Sequence, residues 1–245
     1  MTKISIIIPV LNEQETISYL LEYLLAHAHP NHISEIIVVD GGSTDGTQES
    51  ISKFITERKS ERLQGFKSQI NLFLINSAKG RAKQMNHGAR NAHGAILYFL
   101  HADSFPPKNF DQLIIRAVNN GSKAGCFRLQ FDSKHWWLRL ASWLTRFNWR
   151  ACRGGDQSQF ITKELFNEIG GYNEHYIIYE DNILINALYA RNEFTVINKK
   201  VRTSARLYKK HGIWKTQYHF WMIYAKRWFG ASPEDLFRYY QKAFK

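Results

Sequence analysis

Four apolar runs separated by helical stretches constrain this chain more than any other feature: ISIIIPV (4–10), IIVV (36–39), INLFLI (70–75) and AILYFL (95–100). A strand that is apolar along its whole length is covered on both faces, and strands alternating with helices close most simply as a parallel sheet with right-handed crossovers. Ile17, Leu20, Leu21, Leu24 and Leu25 recur at helical spacing and make one stripe suited to lie on that sheet. Pro9 interrupts the first ladder. The second run ends at Asp40 in a Gly-Gly-Ser-Thr-Asp-Gly turn, where Ser43, Thr44 or Asp45 can cap a helix starting near Thr47. Residues 79–92 read as the next helix. The expected class is α/β: a Rossmann-like, mostly parallel sheet with helices on both faces.

After Pro106 and Pro107 the pattern changes. Residues 110–118 read as a helix, 124–131 as a strand, and 136–149 as a helix carrying Trp136, Trp137, Trp143 and Trp149. A short strand at 159–161, a helix at 179–190 and one or two strands within 194–206 follow. Aromatic-rich helices at 211–229 and 232–244 complete the pattern. No segment repeats and no low-complexity linker divides the 245 residues, so a single domain over 1–245 is expected.

Cys126 and Cys152 fit no metal spacing, which favours a reducing compartment. Residues 1–3 lead straight into a strand-like run without the charged and apolar regions of a secretory signal. No apolar run approaches the ~20 residues that cross a bilayer. A cytoplasmic protein is expected. Of the net +12, +10 falls from Lys199 onward, where twelve Lys and Arg face only Glu234 and Asp235. Such a tail reads as a solvated helical face, or as a surface for anionic lipid, a phosphate-rich substrate or nucleic acid.

No Gly-x-Gly-x-x-Gly follows the first strand and no P-loop is present, so neither familiar phosphate cradle applies. Polar groups gather instead at the expected strand ends: Asn12 and Glu13, Asp40 and Asp45, Lys79 and Arg81, and Asp103 after His101-Ala102. In a parallel sheet these ends share one rim, the usual ligand edge of open α/β folds. Carboxylates there can hold a base, a ribose or a metal, and the cations can meet phosphates. Turn chemistry and capping explain Ser43, Thr44 and Asp45 equally well. For Asp103, which follows a buried strand with no neutralising partner in view, a bound metal ion is the natural explanation.

Four stretches resemble the family 2 glycosyltransferases of GT-A fold: SIIIPVLNEQETI (5–17), IIVVDGGSTDGT (36–47), KGRAKQMNHGARNAHGAILYFLHADS (79–104) and GGDQSQFITKELFNEIGGYNEHYIIYEDNIL (154–184). LHADS, GDQ with an IGGY turn, and YED resemble a bacterial subgroup. The resemblance implies a nucleotide-sugar-binding half over about 1–104, an acceptor and catalytic half over about 105–206, and a basic aromatic helical tail over about 207–245. It implies inverting transfer from a nucleotide-sugar, a UDP-sugar in the first place, to a sugar, lipid or lipid-linked acceptor. Pro9, Asn12, Glu13 and Asp40 would line the nucleotide pocket, with Arg81 and Lys79 on the diphosphate. Asp103 would hold a divalent metal, Mg2+ or Mn2+, with His211 as a further ligand, or Arg202 and Arg206 could instead reach the diphosphate. His101 replaces the first acid of the family's Asp-x-Asp and brings a neutral imidazole suited to a ribose hydroxyl. Asp181 would be the general base, Glu180 its neighbour, and Gly154, Gly155, Asp156 and Gln157 the acceptor loop. An acidic helix N-terminus explains Glu180-Asp181 as well, and an ordinary turn explains the loop.

Two rival classes stay open: a nucleotidyltransferase on a related scaffold, and a non-catalytic basic module binding membrane or nucleic acid. The intact carboxylate set argues against the module, so no nucleic acid is expected. The clustering of aromatics with cations admits a peripheral position on the inner face of the membrane. Packing on the donor half would explain the same aromatics.

Overall fold

The computed structural model describes residues 2–63 and 70–245. The apolar runs form β1 (Ile4–Val10), β2 (Ile33–Asp40), β3 (Asn71–Asn76) and β4 (Ile96–Phe99), linked by α1 (Gln14–His27), α2 (Thr47–Leu63) and α3 (Arg81–Asn91). These four strands are parallel, in the order β3-β2-β1-β4. Ile4, Ile6 and Ile8 share a core with Leu20, Leu21 and Leu24 of α1 and Ile51 of α2. Ile7, Ile37 and Val39 join Ala82, Met85 and Ala89 of α3 on the other face. β1, β2 and β4 are covered on both faces, which is why their apolar runs carry no polar alternation, whereas β3, at the edge of the sheet, alternates and leaves Phe73 exposed. Gly88 sits mid-helix in α3 because a Cβ there would lie 2.5 Å from Ile7 Cγ2.

The chain continues as β5 (Ser104–Phe105), α4 (Phe110–Asn119), β6 (Ala124–Phe131), α5 (Trp136–Leu144), β7 (Gln159–Thr162), α6 (Lys163–Ile169), α7 (Glu180–Ala190), β8 (Phe194–Thr203), α8 (Arg206–His211), α9 (Ile213–Trp228) and α10 (Pro233–Ala243). The described strands make one sheet in the order β3-β2-β1-β4-β7-β6-β8-β5. β7 enters antiparallel beside β4, β6 runs antiparallel to β7 and parallel to β8, and β5 pairs antiparallel with β8. The sheet is therefore parallel through its first half and mixed through its second.

Several expected boundaries shift for local reasons. α5 stops at Leu144, not 149, because the Thr145 hydroxyl donates to Ser142 O and accepts the Leu129 N–H of β6, leaving Trp149 outside the helix. The expected helix at 211–229 begins only after Gly212, whose φ of +85° and ψ of 146° separate α8 from α9. Residues 194–206 hold one strand, whose register slips opposite Phe127 and Arg128. The two-residue β5 and seven-residue α6 are too short to show a period. Cys126 and Cys152 are free thiols. Among the described residues no helix is long and apolar enough to cross a membrane.

Candidate active site

Turns after β1 and β2 are stitched together before any ligand is considered. Asn12, in the left-handed region at φ 56°, donates its N–H to Ser43 Oγ and accepts the Thr44 N–H, both at 2.9 Å. Glu13 N–H reaches Thr47 Oγ1, and Gln14 N–H reaches Asp45 Oδ2. Asp40 is fully buried. Its Oδ2 accepts the Gly42 and Ser43 N–H groups and the Gln48 amide, and its Oδ1 accepts the Ser43 hydroxyl. Burial works against the charge, but these donors outweigh it and hold the carboxyl below its usual range. Acceptor capacity remains at Oδ1. From α3, the buried Gln84 amide donates to Val10 O and Val39 O at 2.8 Å, closing the ends of both strands. One amide in a helical run carries no periodic signal, so sequence reasoning passed over it.

Asp103 sits in the turn between β4 and β5, and it has a neutralising partner that the sequence hides. Arg206, at the start of α8, places Nε 3.5 Å from Asp103 Oδ2 while its two terminal nitrogens grip both oxygens of Glu13. Burial raises the Asp103 carboxyl pKa, Arg206 opposes the rise, and Glu13 adds to it. His101 is pushed down to about 3, by burial first and by Arg81 and Arg206 next. With its imidazole neutral, the 3.7 Å approach to Asp156 Oδ1 is a polar contact and not an ion pair.

The chain enters α7 through Tyr179 at φ 73°, a costly conformation for an aromatic residue. This entry turns Glu180 inward and leaves Asp181 part-exposed. Asp181 Oδ2 accepts the Gly155 N–H, and Oδ1 accepts the Asn182 backbone N–H at 2.8 Å and its side-chain amide at 3.0 Å. Gly155 is required here, since a Cβ would lie 2.6 Å from Asp181 Oδ2. Glu180 is fully buried and makes no aligned hydrogen bond, and Arg81 Nη1 stands 3.3 Å from its Oε1. Arg81 therefore ties the start of α3 to the start of α7.

Burial raises the Glu180 carboxyl to about 7; Arg81 opposes the rise and Asp181 adds to it. Between the ordinary glutamate value and about 7, the folded protein keeps a proton that the unfolded chain has released, so stability falls as pH rises through this window. The loss is complete above it. Glu180→Gln, neutral throughout, is expected to match wild type near pH 4.5 and to gain up to roughly 3 kcal/mol near pH 8. Urea unfolding at both pH values checks this, and an equal effect at both would contradict the inward, unsatisfied carboxyl.

The glycine loop is braced from inside by a residue the motif reading missed. Arg153, 3% exposed, donates to Thr145 O, Phe147 O, Trp149 O and Gln157 Oε1. Gln157 returns its amide to Cys152 O. Its side chain is buried and committed to the loop's own support, while Gly154 and Gly155 are part-exposed and the Asp156 side chain is half-exposed. Ser158 adopts φ 54° and ψ 160°, a region that glycine normally occupies, with its hydroxyl accepting from Tyr98.

Asp156 lies within electrostatic reach of Arg81, Asp103, Asp181 and Arg206. Asp103, Asp156, Asp181, Arg81 and Arg206 thus share one site, and Arg206 links Glu13 to it. Among the described residues no three His, Cys, Asp or Glu side chains converge as a metal cluster, with or without His211. Its ring packs edge-on against Phe244. The late residue that reaches Asp103 is Arg206. Lys79 is exposed on the turn before α3, and Pro9 is part-exposed on β1.

Residues 5–186 match the sequence model of glycosyl transferase family 2. The chain is 32% identical over 122 residues to glycosyltransferase AglE of Haloferax volcanii, covering 50% of this chain and 36% of the relative. It is 30% identical over 128 residues to undecaprenyl-phosphate 4-deoxy-4-formamido-L-arabinose transferase of Yersinia enterocolitica, covering 51% and 37%. The matched stretches span little more than a third of either relative's length. The mannosyltransferase PcManGT from Pyrobaculum calidifontis, solved with GDP-Man and Mn2+, superposes with a TM-score of 0.69 at 17% identity over 96% of this chain and 67% of that one, which shows a shared fold.

Proposed function

Since this chain belongs to glycosyl transferase family 2, and is a transferase on a GT-A fold, we propose that it moves a sugar from a nucleotide-sugar, in the first place a UDP-sugar, to its acceptor with inversion. Family membership sets aside both the nucleotidyltransferase and the non-catalytic basic module. The observation that supports the finer reading is the meeting of Asp103, Asp156, Asp181, Arg81 and Arg206 in one electrostatic neighbourhood beside the strand-end turns.

Asp181 takes the proton from the acceptor hydroxyl as that oxygen attacks the anomeric carbon, on the face opposite the departing diphosphate. Gly155 N–H and Asn182 hold its carboxylate in place while leaving it part-exposed. The bare backbone of Gly154 and Gly155 lets the acceptor approach, with Asp156 beside it. Arg81 meets the diphosphate at the mouth of the site, and Lys79 adds charge from the preceding turn. Asn12, Glu13, Pro9 and the remaining acceptor capacity of Asp40 bind the nucleoside; His101 offers a neutral ring to the ribose.

The donor set suits a hard divalent ion held jointly with the substrate. Mg2+ commonly takes one or two carboxylates plus phosphate oxygens and keeps its waters, and Asp103 is one such carboxylate. Asp103 would hold Mg2+ or Mn2+ once Arg206 releases its Oδ2. When bound, the ion neutralises charge on the leaving diphosphate. A lipid-linked acceptor is favoured because the Yersinia relative's name specifies an undecaprenyl-phosphate substrate.

Thermal-shift measurements with UDP, GDP and their sugars, with and without Mn2+, test the reading. UDP and a UDP-sugar are expected to raise the Tm, more so with Mn2+. A response to GDP alone would replace the base assignment, and no response to any nucleoside diphosphate would end the proposal.

A further inference from the structure

All seven tryptophans of the chain fall on α5, in the turn after it, or on α9. On α5, Trp136, Leu140 and Trp143 recur at spacings of four and three, and each is 39–59% exposed. On α9, Trp214, Tyr218, Trp221 and Trp228 fall on one stripe and are 51–87% exposed. A helix normally buries such a stripe, yet α5 buries only Leu138, and α9 only Thr216 and Ile223. The two stripes adjoin. Trp214 packs at a tilt against Trp136 and Trp137 with ring centroids 5.8 and 5.4 Å apart, and Trp137 Nε1 donates to Gln217 of α9 at 3.1 Å. The result is one continuous aromatic surface, not scattered exposed residues.

Its charge is one-sided. Neither α5 nor α9 contains an aspartate or glutamate, while Arg139, Arg146 and Lys215 are exposed beside the rings and Lys226 and Arg227 close α9. Arg146 lies over the Trp143 ring at 5.2 Å. Tryptophan and tyrosine favour the level of lipid headgroups, where an apolar ring and a polar edge are both accommodated, and each cation adds attraction to an anionic surface. A second copy of this face would set cation against cation.

We propose that the joined outer faces of α5 and α9 dock on the headgroup layer of an anionic bilayer. The surface goes beyond the transfer reaction and stands or falls separately from it. It is also well placed for it. On α9, the Tyr224 hydroxyl donates to Asn182 Oδ1 at 3.2 Å, and Asn182 donates to Asp181 Oδ1. A docked α9 is therefore linked to Asp181 by two hydrogen bonds through Tyr224 and Asn182.

Sedimentation with phosphatidylcholine vesicles, with and without phosphatidylglycerol and at low and high salt, tests this together with tryptophan emission. The full chain is expected to bind only the anionic vesicles, to shift its emission to shorter wavelength, and to release at high salt. Arg139→Gln with Lys215→Gln should weaken partitioning about 30-fold, and Trp228→Ser with Phe229→Ser should also weaken it. Both pairs should leave the thermal shift with UDP and Mn2+ unchanged, which shows the variants folded and reads the donor site independently. No binding to anionic vesicles at low salt overturns the proposal. Equal binding to both vesicle types overturns it, and so does binding indifferent to the variants. If the variants instead dissociate a lipid-free dimer in analytical ultracentrifugation, the face is a protein interface and the proposal fails.

Discussion

Asp181→Asn is expected to cut sugar transfer by about 10^2 to 10^4, the range for loss of a positioned general base, while UDP continues to raise the Tm. The asparagine oxygen can still accept the Gly155 N–H, so the loop keeps its anchor. What disappears is basicity. The amide nitrogen would face the Asn182 donors that Asp181 Oδ1 now accepts, a small local cost that a urea titration will register separately from turnover. Glu180 cannot stand in, because it is buried and held beside Arg81. Wild-type turnover in the variant would move the base elsewhere. Asp156 would then be the next to replace: crowding by the cleft walls, with Asp103 and Asp181, pushes its carboxyl up to about 6, near the range that suits proton abstraction.

Arg153→Met is expected to cost roughly 4 kcal/mol of stability, with the midpoint of urea unfolding falling accordingly. Methionine fills a similar volume but donates nothing, so Thr145 O and Phe147 O lose the donors they have inside the protein, and Gln157 Oε1 keeps only the Cys126 thiol. Relief from burying a guanidinium charge offsets part of this loss. The loop that these bonds brace also supplies Gly155 N–H to Asp181, so activity should fall below what the unfolded fraction explains. A variant as stable as wild type would mean that water replaces the arginine's donors, and the loop would have to be held by other contacts.

β1, β2 and β4 were legible because each carries a run that is apolar on both faces, a pattern that survives any detail of packing; the edge strand β3 alternates less cleanly. The turn after Asp40 was legible for the same local reason: glycine, serine and aspartate at fixed offsets make the bonds seen from Asp40 to Gly42 and Ser43. The second half was harder. Mixed pairing around β7 leaves short strands whose neighbours come from distant segments. Arg153 and Gln84 looked like ordinary polar residues, since their importance comes from carbonyls brought to them by other elements.

Asp103 shows the division most clearly. By sequence it ended a buried strand with nothing to neutralise it, and a metal ion was the available explanation. The fold brings Arg206 to it and to Glu13, 193 residues away along the chain. Local sequence determined which residues alternate, turn and cap, and so the class of fold and the rim on which its charged groups collect. Which charge faces which was decided by the tertiary structure alone, because Coulomb attraction and desolvation depend on distance and burial in space. The inward Glu180 beside the part-exposed Asp181 shows it within a single dipeptide.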